Sequence, residues 1–458
     1  MDLIYGIKDK PKLGKVVLFA IQQLLAIMAA TIAVPAIING ACGCELSASA
    51  ALFGAGVGSI VYLLFTKSSS PVFLGSSFAF IGSMCTAFAG AASMVIGYWG
   101  LIIGAVMAGL VYVIISIIVK ACGVEWINKL MPPVIIGPTV AIIGLSLAGN
   151  AVGDAMKSNV ASVIGADGGH TAAYYVSIFC ALVTLAVTML FSTYGKKMGK
   201  LIPFILGILA GYICASIFAL IGNLSGNENL IVINYGALTS LDWSKFTSYF
   251  SFPTFTFMLG GAEGLKGISG TYLLTLFTAY VPVAFVVFAE HIADHKNLST
   301  IVGKDLLKEP GLNRTLLGDG IGSMAGALFG GCPNTTYGES IGCVAITRNA
   351  SVVSIWGCAI GCLILSMITP IVAFLETIPS CVMGGVCIAL YGFIAVSGFK
   401  MFQSVDLNKN RNLFVASVIF ITGVGGFSIS FGKVTITTVA CALILGILTN
   451  VMLSKEEA

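Results

Sequence analysis

Charge is what this sequence has least of. Its 458 residues include 23 Lys or Arg and 19 Asp or Glu, 9% in all, against about 25% in a soluble domain. A soluble particle of this length needs a polar shell that so few charges cannot supply. The shortage excludes a soluble fold, a nucleic-acid binder and a disordered chain. The same shortage excludes a secreted disulfide scaffold, and the 13 Cys, an odd number, cannot all pair internally. Most of them sit inside apolar runs, where a thiol behaves as a small hydrophobe. Cys42 and Cys44, beside Glu45, form a close pair outside such a run and read as loop cysteines, not metal ligands. Gly338-Glu-Ser340-Ile-Gly342 has the G-x-S-x-G spacing, but it lies in apolar, membrane-type sequence and not in the alternating strand–helix context that a nucleophile elbow needs. The spacing His291-x-x-x-His295 lacks the Glu of H-E-x-x-H and a third ligand. Neither a hydrolase nor a metal centre is organised by these residues, and the chain reads as a non-enzyme.

What fills the chain instead is apolar residues, 57% of the total, with 55 Gly. A membrane-spanning helix takes about 20 residues. Hydropathy marks fourteen segments near 16–38, 47–66, 72–89, 98–119, 130–149, 174–192, 202–222, 272–292, 315–331, 334–347, 351–375, 381–399, 412–430 and 434–453. Lys8, Lys10, Lys12 and Lys15 precede the uncharged run Val16 to Ile38, which is longer than a signal-peptide core and reads as a retained first span. With the N-terminus cytoplasmic, all but four of the 23 Lys and Arg fall on inner segments. The exceptions are Lys157, Lys245, Lys266 and Lys433. The inner groups include Lys129, Lys196 to Lys200 and Lys455, and the bias predicts both ends inside.

A polar interruption over 223–270 divides these segments into seven and seven. An odd number per half gives the halves opposite orientations, the arrangement of inverted-repeat transporters. The third segment opens Pro71-Val-Phe-Leu-Gly75-Ser-Ser-Phe78 and the tenth Pro333-Asn-Thr-Thr-Tyr337-Gly338-Glu339. Each starts with Pro and strand- or turn-prone residues, then reaches a helix-compatible stretch. Non-helical backbone at membrane depth survives only where protein buries it or it lines a cavity, so the two breaks mark a binding site. In the ninth segment Gly318, Gly322, Gly326 and Gly330 share one helix face and predict close packing by a neighbouring helix.

Acids inside a membrane are functional candidates. Five lie in or beside spans of the second half: Glu290, Asp294, Asp319, Glu339 and Glu376. Glu376, near Pro379, reads as a surface residue, and Asp319, among glycines, as a partner for a neighbouring helix. Glu290 and Asp294 share a helix face, and Glu339 follows a broken span. Like charges gathered in a poorly hydrated site cannot all ionise cheaply, so one of the three is expected to carry a proton. Glu290 ranks above Asp294 for that role, because His295 or Lys296 offers Asp294 a permanent counter-charge.

Several strings carry a family resemblance: Gln23-Leu-Leu-Ala, Gly75-Ser-Ser-Phe78, Ala289-Glu-His291, Lys304-Asp-Leu-Leu and above all Pro333-Asn-Thr-Thr-Tyr-Gly-Glu-Ser-Ile-Gly342. Over about residues 13–450 the chain resembles the nucleobase–ascorbate transporter (nucleobase:cation symporter) family, and its bacterial uracil permease branch most. The resemblance implies an all-α polytopic membrane protein of 14 transmembrane segments in two inverted 7-span repeats, with short antiparallel strands in broken spans 3 and 10. Residues 13–120 and 271–376 would form a core domain, and 126–222 and 381–453 a gate domain. Glu290 and Glu339 match substrate-binding acids. Phe78 and Gly338 match residues offering backbone N–H groups, and Tyr337 matches a pocket residue. The branch carries His four residues after the eighth-span Glu; here that place is Asp294, and His295 stands ~100° further around the helix.

The implied activity is proton-coupled import of uracil across the cytoplasmic membrane by alternating access. Na⁺ stands as an alternative coupling ion, no organic cofactor is implied, and a homodimer through the gate domain is. The chemistry fits, since uracil presents two N–H donors and two carbonyl acceptors. Alternatives on the same fold are a symporter for xanthine, uric acid or another pyrimidine. An anion exchanger or channel of related architecture is disfavoured, because the broken spans contain no Lys or Arg before Arg348.

Overall fold

A computed structural model of the chain describes residues 3–123, 126, 132–165, 168–196, 198–431 and 434–454. Lys129, Lys197, Lys433 and Lys455 of the charge reading lie outside them. Each of the fourteen hydropathy segments contains helix. In chain order the helices longer than one turn are α1 (Leu13–Cys42), α2 (Ala48–Phe65), α3 (Ile81–Ala89), α4 (Met94–Cys122), α5 (Pro133–Ser146), α6 (Ala148–Ala155), α7 (Ala172–Tyr194) and α8 (Pro203–Ser225). They continue with α9 (Thr256–Lys266), α10 (Gly270–Val302), α11 (Leu312–Gly330), α12 (Gly338–Thr347), α13 (Val352–Leu365), α14 (Thr369–Glu376), α15 (Ser380–Phe402), α16 (Asn410–Val424) and α17 (Thr438–Met452). Among the described residues, 8 helices are long and apolar enough to cross a membrane, judged by length and composition. The protein is an all-α, multi-span membrane protein. Among the described residues the strands form two pairs: β1 (Leu74–Ser76) with β2 (Asn334–Thr336), and β3 (Ile429–Phe431) with β4 (Val434–Ile436).

The chain forms two compact units. Unit 1 comprises Met1–Ser146, Pro253–Leu363 and Ile394–Ala458; unit 2 comprises Leu147–Phe252 and Ile364–Phe393. In unit 1, α11 is held between α2 and α4 at backbone contact. A Cβ on Gly322 would lie 2.6 Å from the Gly58 carbonyl, and one on Gly320 2.8 Å from that of Gly109. The glycine stripe therefore does what its spacing predicts: it removes side chains so that two helices meet main chain to main chain. In unit 2, α7 and α8 pack in the same manner, with Gly207 and Gly211 set against Thr188 and Thr184. All thirteen cysteines are free thiols.

Two features depart from the hydropathy reading. The polar interruption contains α9, which packs on α4. Trp99 Nε1 donates to the Gly261 carbonyl at 2.7 Å, and Gly260 and Gly264 leave room for its indole. The segment is glycine-rich, and at 11 residues it is too short to register as a span. The boundary between the last two segments is the β3–β4 hairpin, with β4 packed against α10.

The N-terminal residues strap unit 1. The Arg348 carbonyl accepts from Ile4 N at 2.8 Å, Ala350 N donates to the Tyr5 carbonyl at 2.9 Å, and Val352 N donates to that of Ile7 at 3.1 Å. Ser351 Oγ donates to the Asp9 carbonyl at 2.6 Å. The strap thus satisfies backbone groups between the end of α12 and the start of α13, where Ala350 and Ser351 are fully buried. Four hydrogen bonds at ~0.5–1.5 kcal/mol each give a contribution of roughly 2–6 kcal/mol. Deleting residues 3–9 is expected to lower the thermal midpoint of the detergent-solubilised protein by several degrees, read by size-exclusion after heating. An unchanged midpoint would show that the strap only follows the fold.

Candidate functional site

The site is built on the β1–β2 ladder. Leu74 pairs with Thr336, Gly75 with Thr335 and Ser76 with Asn334, antiparallel. Ser77 N donates to the Pro333 carbonyl at 2.8 Å and Tyr337 N to that of Phe73 at 3.2 Å, closing both ends. Each strand runs directly into a helix. β1 leads into a 3-10 turn at Phe78–Phe80 and then α3, and β2 leads into α12 at Gly338. Two helix N-termini therefore lie at the strands, each with backbone N–H groups that no preceding turn can satisfy. Their dipoles favour acceptor atoms there.

Side chains from neighbouring helices fix the ladder. Leu74 N donates to Ser59 Oγ at 2.8 Å, and that hydroxyl donates to the Leu74 carbonyl at 3.0 Å. Asn334 N donates to Ser323 Oγ at 2.9 Å, and Asn334 Nδ2 to the Gly54 carbonyl at 3.1 Å. Gln23 Nε2 of α1 donates to the Ser340 carbonyl at 3.1 Å and to its hydroxyl, which also accepts from Phe73 N at 3.3 Å. The Gln23-Leu-Leu-Ala string thus acts on the first turn of α12. Tyr337 lays its ring over Gly75, where any Cβ would collide with it, and donates its hydroxyl to the Ser76 carbonyl at 2.8 Å. It is buried as a brace across β1.

The acids come from α10 and α12. Glu290 and Asp294 stand one turn apart on α10, and Glu339 is in the first turn of α12. Glu290 is within electrostatic reach of Asp294, Glu339 and Asp319. Thr336 Oγ1, on β2, donates to Asp294 Oδ2 at 2.5 Å. Glu290, Asp294 and Glu339 are each partly exposed and Gly338 is exposed, although the neighbouring strand residues are buried. An opening therefore reaches the carboxylates and the start of α12. Phe78 is 9% exposed at the other helix start. All of these residues lie in unit 1.

His295 stands apart from this group. Its Nδ1 donates to the His291 carbonyl at 2.8 Å, which leaves Nε2 of a neutral ring to accept from Tyr62 Oη at 2.7 Å. The one-residue offset from Asp294 turns it toward α2. A counter-charge on Asp294 from His295 or Lys296 is not formed: among the described residues no Lys, Arg or His nitrogen lies within 4.0 Å of that carboxylate. His291 Nδ1 lies 2.7 Å from Asp319 Oδ2, with Nε2 3.0 Å from Thr315 Oγ1, and His291 and Asp319 are fully buried. Asp319 does pair with a neighbouring helix, and the two imidazoles of the H-x-x-x-H spacing spend their nitrogens on hydrogen bonds. Glu376 ends α14 and is exposed. Thr336 and Ser340 were not singled out by sequence reasoning. Both lie within the Pro333–Gly342 string, but their partners are 42 and 317 residues away.

Carboxylates together with helix N–H groups suit a small planar molecule that carries both N–H donors and carbonyl acceptors. Whole-chain comparisons point the same way. The family model of the xanthine/uracil permeases, described as Permease family, matches residues 14–431. A uracil permease of Bacillus caldolyticus is 37% identical over 98% of this chain and 94% of that protein. A uracil permease of Bacillus subtilis (strain 168) is 36% identical over 99% and 96%. Among solved structures, the transmembrane domain of the cyanobacterial bicarbonate transporter BicA superposes with a TM-score of 0.62, covering 97% of this chain and 100% of that one. At 14% identity that likeness concerns the fold alone. With a broken-helix ladder carrying Asn334 to Glu339 and a family match over nearly its whole length, the chain belongs to the xanthine/uracil permease family.

Proposed function

We propose that this permease, a transporter and not an enzyme, imports uracil together with protons across the cytoplasmic membrane. One observation carries the reading: the Pro333–Gly342 string forms β2 and the start of α12, both packed on α10, and Thr336, three residues before Glu339, donates to Asp294. In this reading Glu290 and Glu339 accept the N–H groups of uracil, and the amides of Phe78 and Gly338 meet its carbonyls. The reading includes fourteen spans as two inverted repeats, both termini cytoplasmic, a gate domain of 126–222 and 381–453, and a core domain of 13–120 and 271–376. Paired breaks at β1 and β2, each in the third segment of its half, support the repeat. Asp294 favours a second reading, since one more acceptor beside Glu290 suits xanthine or uric acid with their additional N–H groups. An anion substrate fits poorly beside three carboxylates.

Coupling follows from those carboxylates. Gathered in a partly exposed site, and with no ion-pair partner among the described residues, they are easier to bring together with a proton than without one. Protonation on the outer side would then accompany substrate entry, and deprotonation inside its release. Radiolabelled uracil uptake into proteoliposomes, with an inside-alkaline gradient and unlabelled xanthine, thymine and cytosine as competitors, tests both parts. The parent is expected to accumulate uracil, with xanthine competing weakly. Glu290→Gln is expected to lose gradient-driven accumulation, and Asp294→Asn to retain part of it, since Asp294 already accepts a hydrogen bond from Thr336. A Glu290→Gln protein that concentrates uracil with the parent's pH dependence moves the proton elsewhere. Stronger inhibition by xanthine than by unlabelled uracil overturns the substrate.

A further inference from the structure

The chain between α8 and α9 carries an aromatic cluster that the transport reading does not use. Within ten residues it has Trp243 (53% exposed), Phe246 (75%), Tyr249 (50%), Phe250 (37%) and Phe252 (70%). The rings touch one another, with centroids 5.6 Å apart for Trp243 and Tyr249, 6.4 Å for Phe246 and Phe250, and 6.5 Å for Phe250 and Phe252. An aromatic side chain has roughly 150–250 Å² to bury, and soluble surfaces rarely expose a contiguous apolar patch beyond about 300–600 Å². Five such rings together call for an apolar partner.

The backbone fixes where that partner lies. Phe250 bridges Ile368 in antiparallel fashion, Ser251 N donates to the Met367 carbonyl at 3.0 Å, and Thr369 N donates to that of Tyr249 at 3.2 Å. Thr369 Oγ1 donates to the Thr247 carbonyl at 2.9 Å. The cluster is thereby pinned to residues 367–369, the turn between the apolar helices α13 and α14. Preceding it in the same unit, Tyr235 Oη donates to Ser216 Oγ of α8 at 2.7 Å, and α8 exposes Ile213, Ile217, Leu220 and Leu224, the apolar face of a candidate span. The ring cluster thus lies in the same unit as an exposed apolar helix face, beside the turn between α13 and α14. Its rim is polar: Lys245 and Asp242 form an exposed ion pair at 3.2 Å, and Tyr249 Oη donates to the Trp243 carbonyl at 3.0 Å. Rings with polar handles and a charged rim are the composition of the headgroup level of a bilayer.

We propose that residues 243–252 are an interfacial anchor whose partner is the lipid surface. Their rings insert at the boundary between headgroups and acyl chains and hold unit 2 at a fixed depth. The test is tryptophan quenching in vesicles, with the Trp243 signal isolated as the difference between the parent and Trp243→Phe. The phospholipids are brominated at positions 6 and 7 of one acyl chain, and iodide is the aqueous quencher. We expect bromolipid to lower the Trp243 signal at least twofold, and iodide to quench it at least twofold less than it quenches a free tryptophan amide. The double substitution Phe246→Ser and Phe252→Ser should weaken the bromolipid effect by half or more. Iodide access equal to that of the free amide, or shielding from iodide without bromolipid quenching, as in a contact with a second copy or another protein, overturns the proposal.

Discussion

Valine at Gly58 is expected to leave almost no folded permease in the membrane. A Cβ at this position would fall inside the Asn334 side-chain amide and lie 2.8 Å from the Gly322 carbonyl. The carbonyl belongs to the backbone of α11 and cannot rotate away, so α2 and α11 must separate. Separation also pulls Asn334 from the Gly54 carbonyl, the bond that fastens β2. Overpacking of a core costs about 1–3 kcal/mol, and stranding a buried polar group about another 1–3 kcal/mol. Together these take about 2–6 kcal/mol from a total stability of ~5–15 kcal/mol. An overlap with rigid backbone, enlarged by the two methyls of Val, lies at or beyond the upper end, so much of the population fails to fold. Fluorescence-detected size exclusion should show at least a tenfold loss of the monodisperse peak. Gly82→Ala is the control, since nothing lies within 4 Å of its Cβ position, and it should match the parent. A Gly58→Val protein that elutes like the parent would show that the helix contact is looser than drawn.

Glu339→Gln is expected to weaken uracil binding by one to two orders of magnitude while the protein stays folded. Glu339 is in the first turn of α12, partly exposed beside the exposed Gly338. A carboxylate there accepts an N–H of the ligand, whereas an amide presents a donor of its own in half of its orientations. A charge-assisted hydrogen bond is worth about 1.5–3 kcal/mol, and each 1.4 kcal/mol is a factor of about ten in Kd. Calorimetry on purified protein measures this directly. An unchanged Kd, with normal elution, would remove Glu339 from the substrate site and leave the family match untouched.

How much of this was legible beforehand differs from residue to residue. The four glycines of α11 could be read as a packing face from their spacing alone, but not which helix they meet, because α2 lies some 260 residues earlier in the chain. Both broken spans could be placed from Pro71 and Pro333. That their strands pair, and in which register, depends on side chains of α1, α2 and α11 that fix each strand from outside. Asp319 carried a signal, an acid among glycines, and its partner His291 is where a neighbouring helix was expected. Tyr337 is in the most specific string of the chain, yet nothing in that string says that its ring braces Gly75.

Hydrophobicity, turn chemistry and glycine spacing act over a few residues along the chain. The sequence by itself therefore determined the membrane class, most of the helical segments, the two breaks and the family. Contacts between distant segments depend on how helices rotate and approach once they are packed. Only the tertiary structure decided that Thr336 holds Asp294, that His295 turns toward Tyr62, and that an N-terminal strap covers the end of α12. A rotation of ~100° per residue separates Asp294 from His295, and no local pattern tells which of the two faces the opening until the surrounding helices are in place.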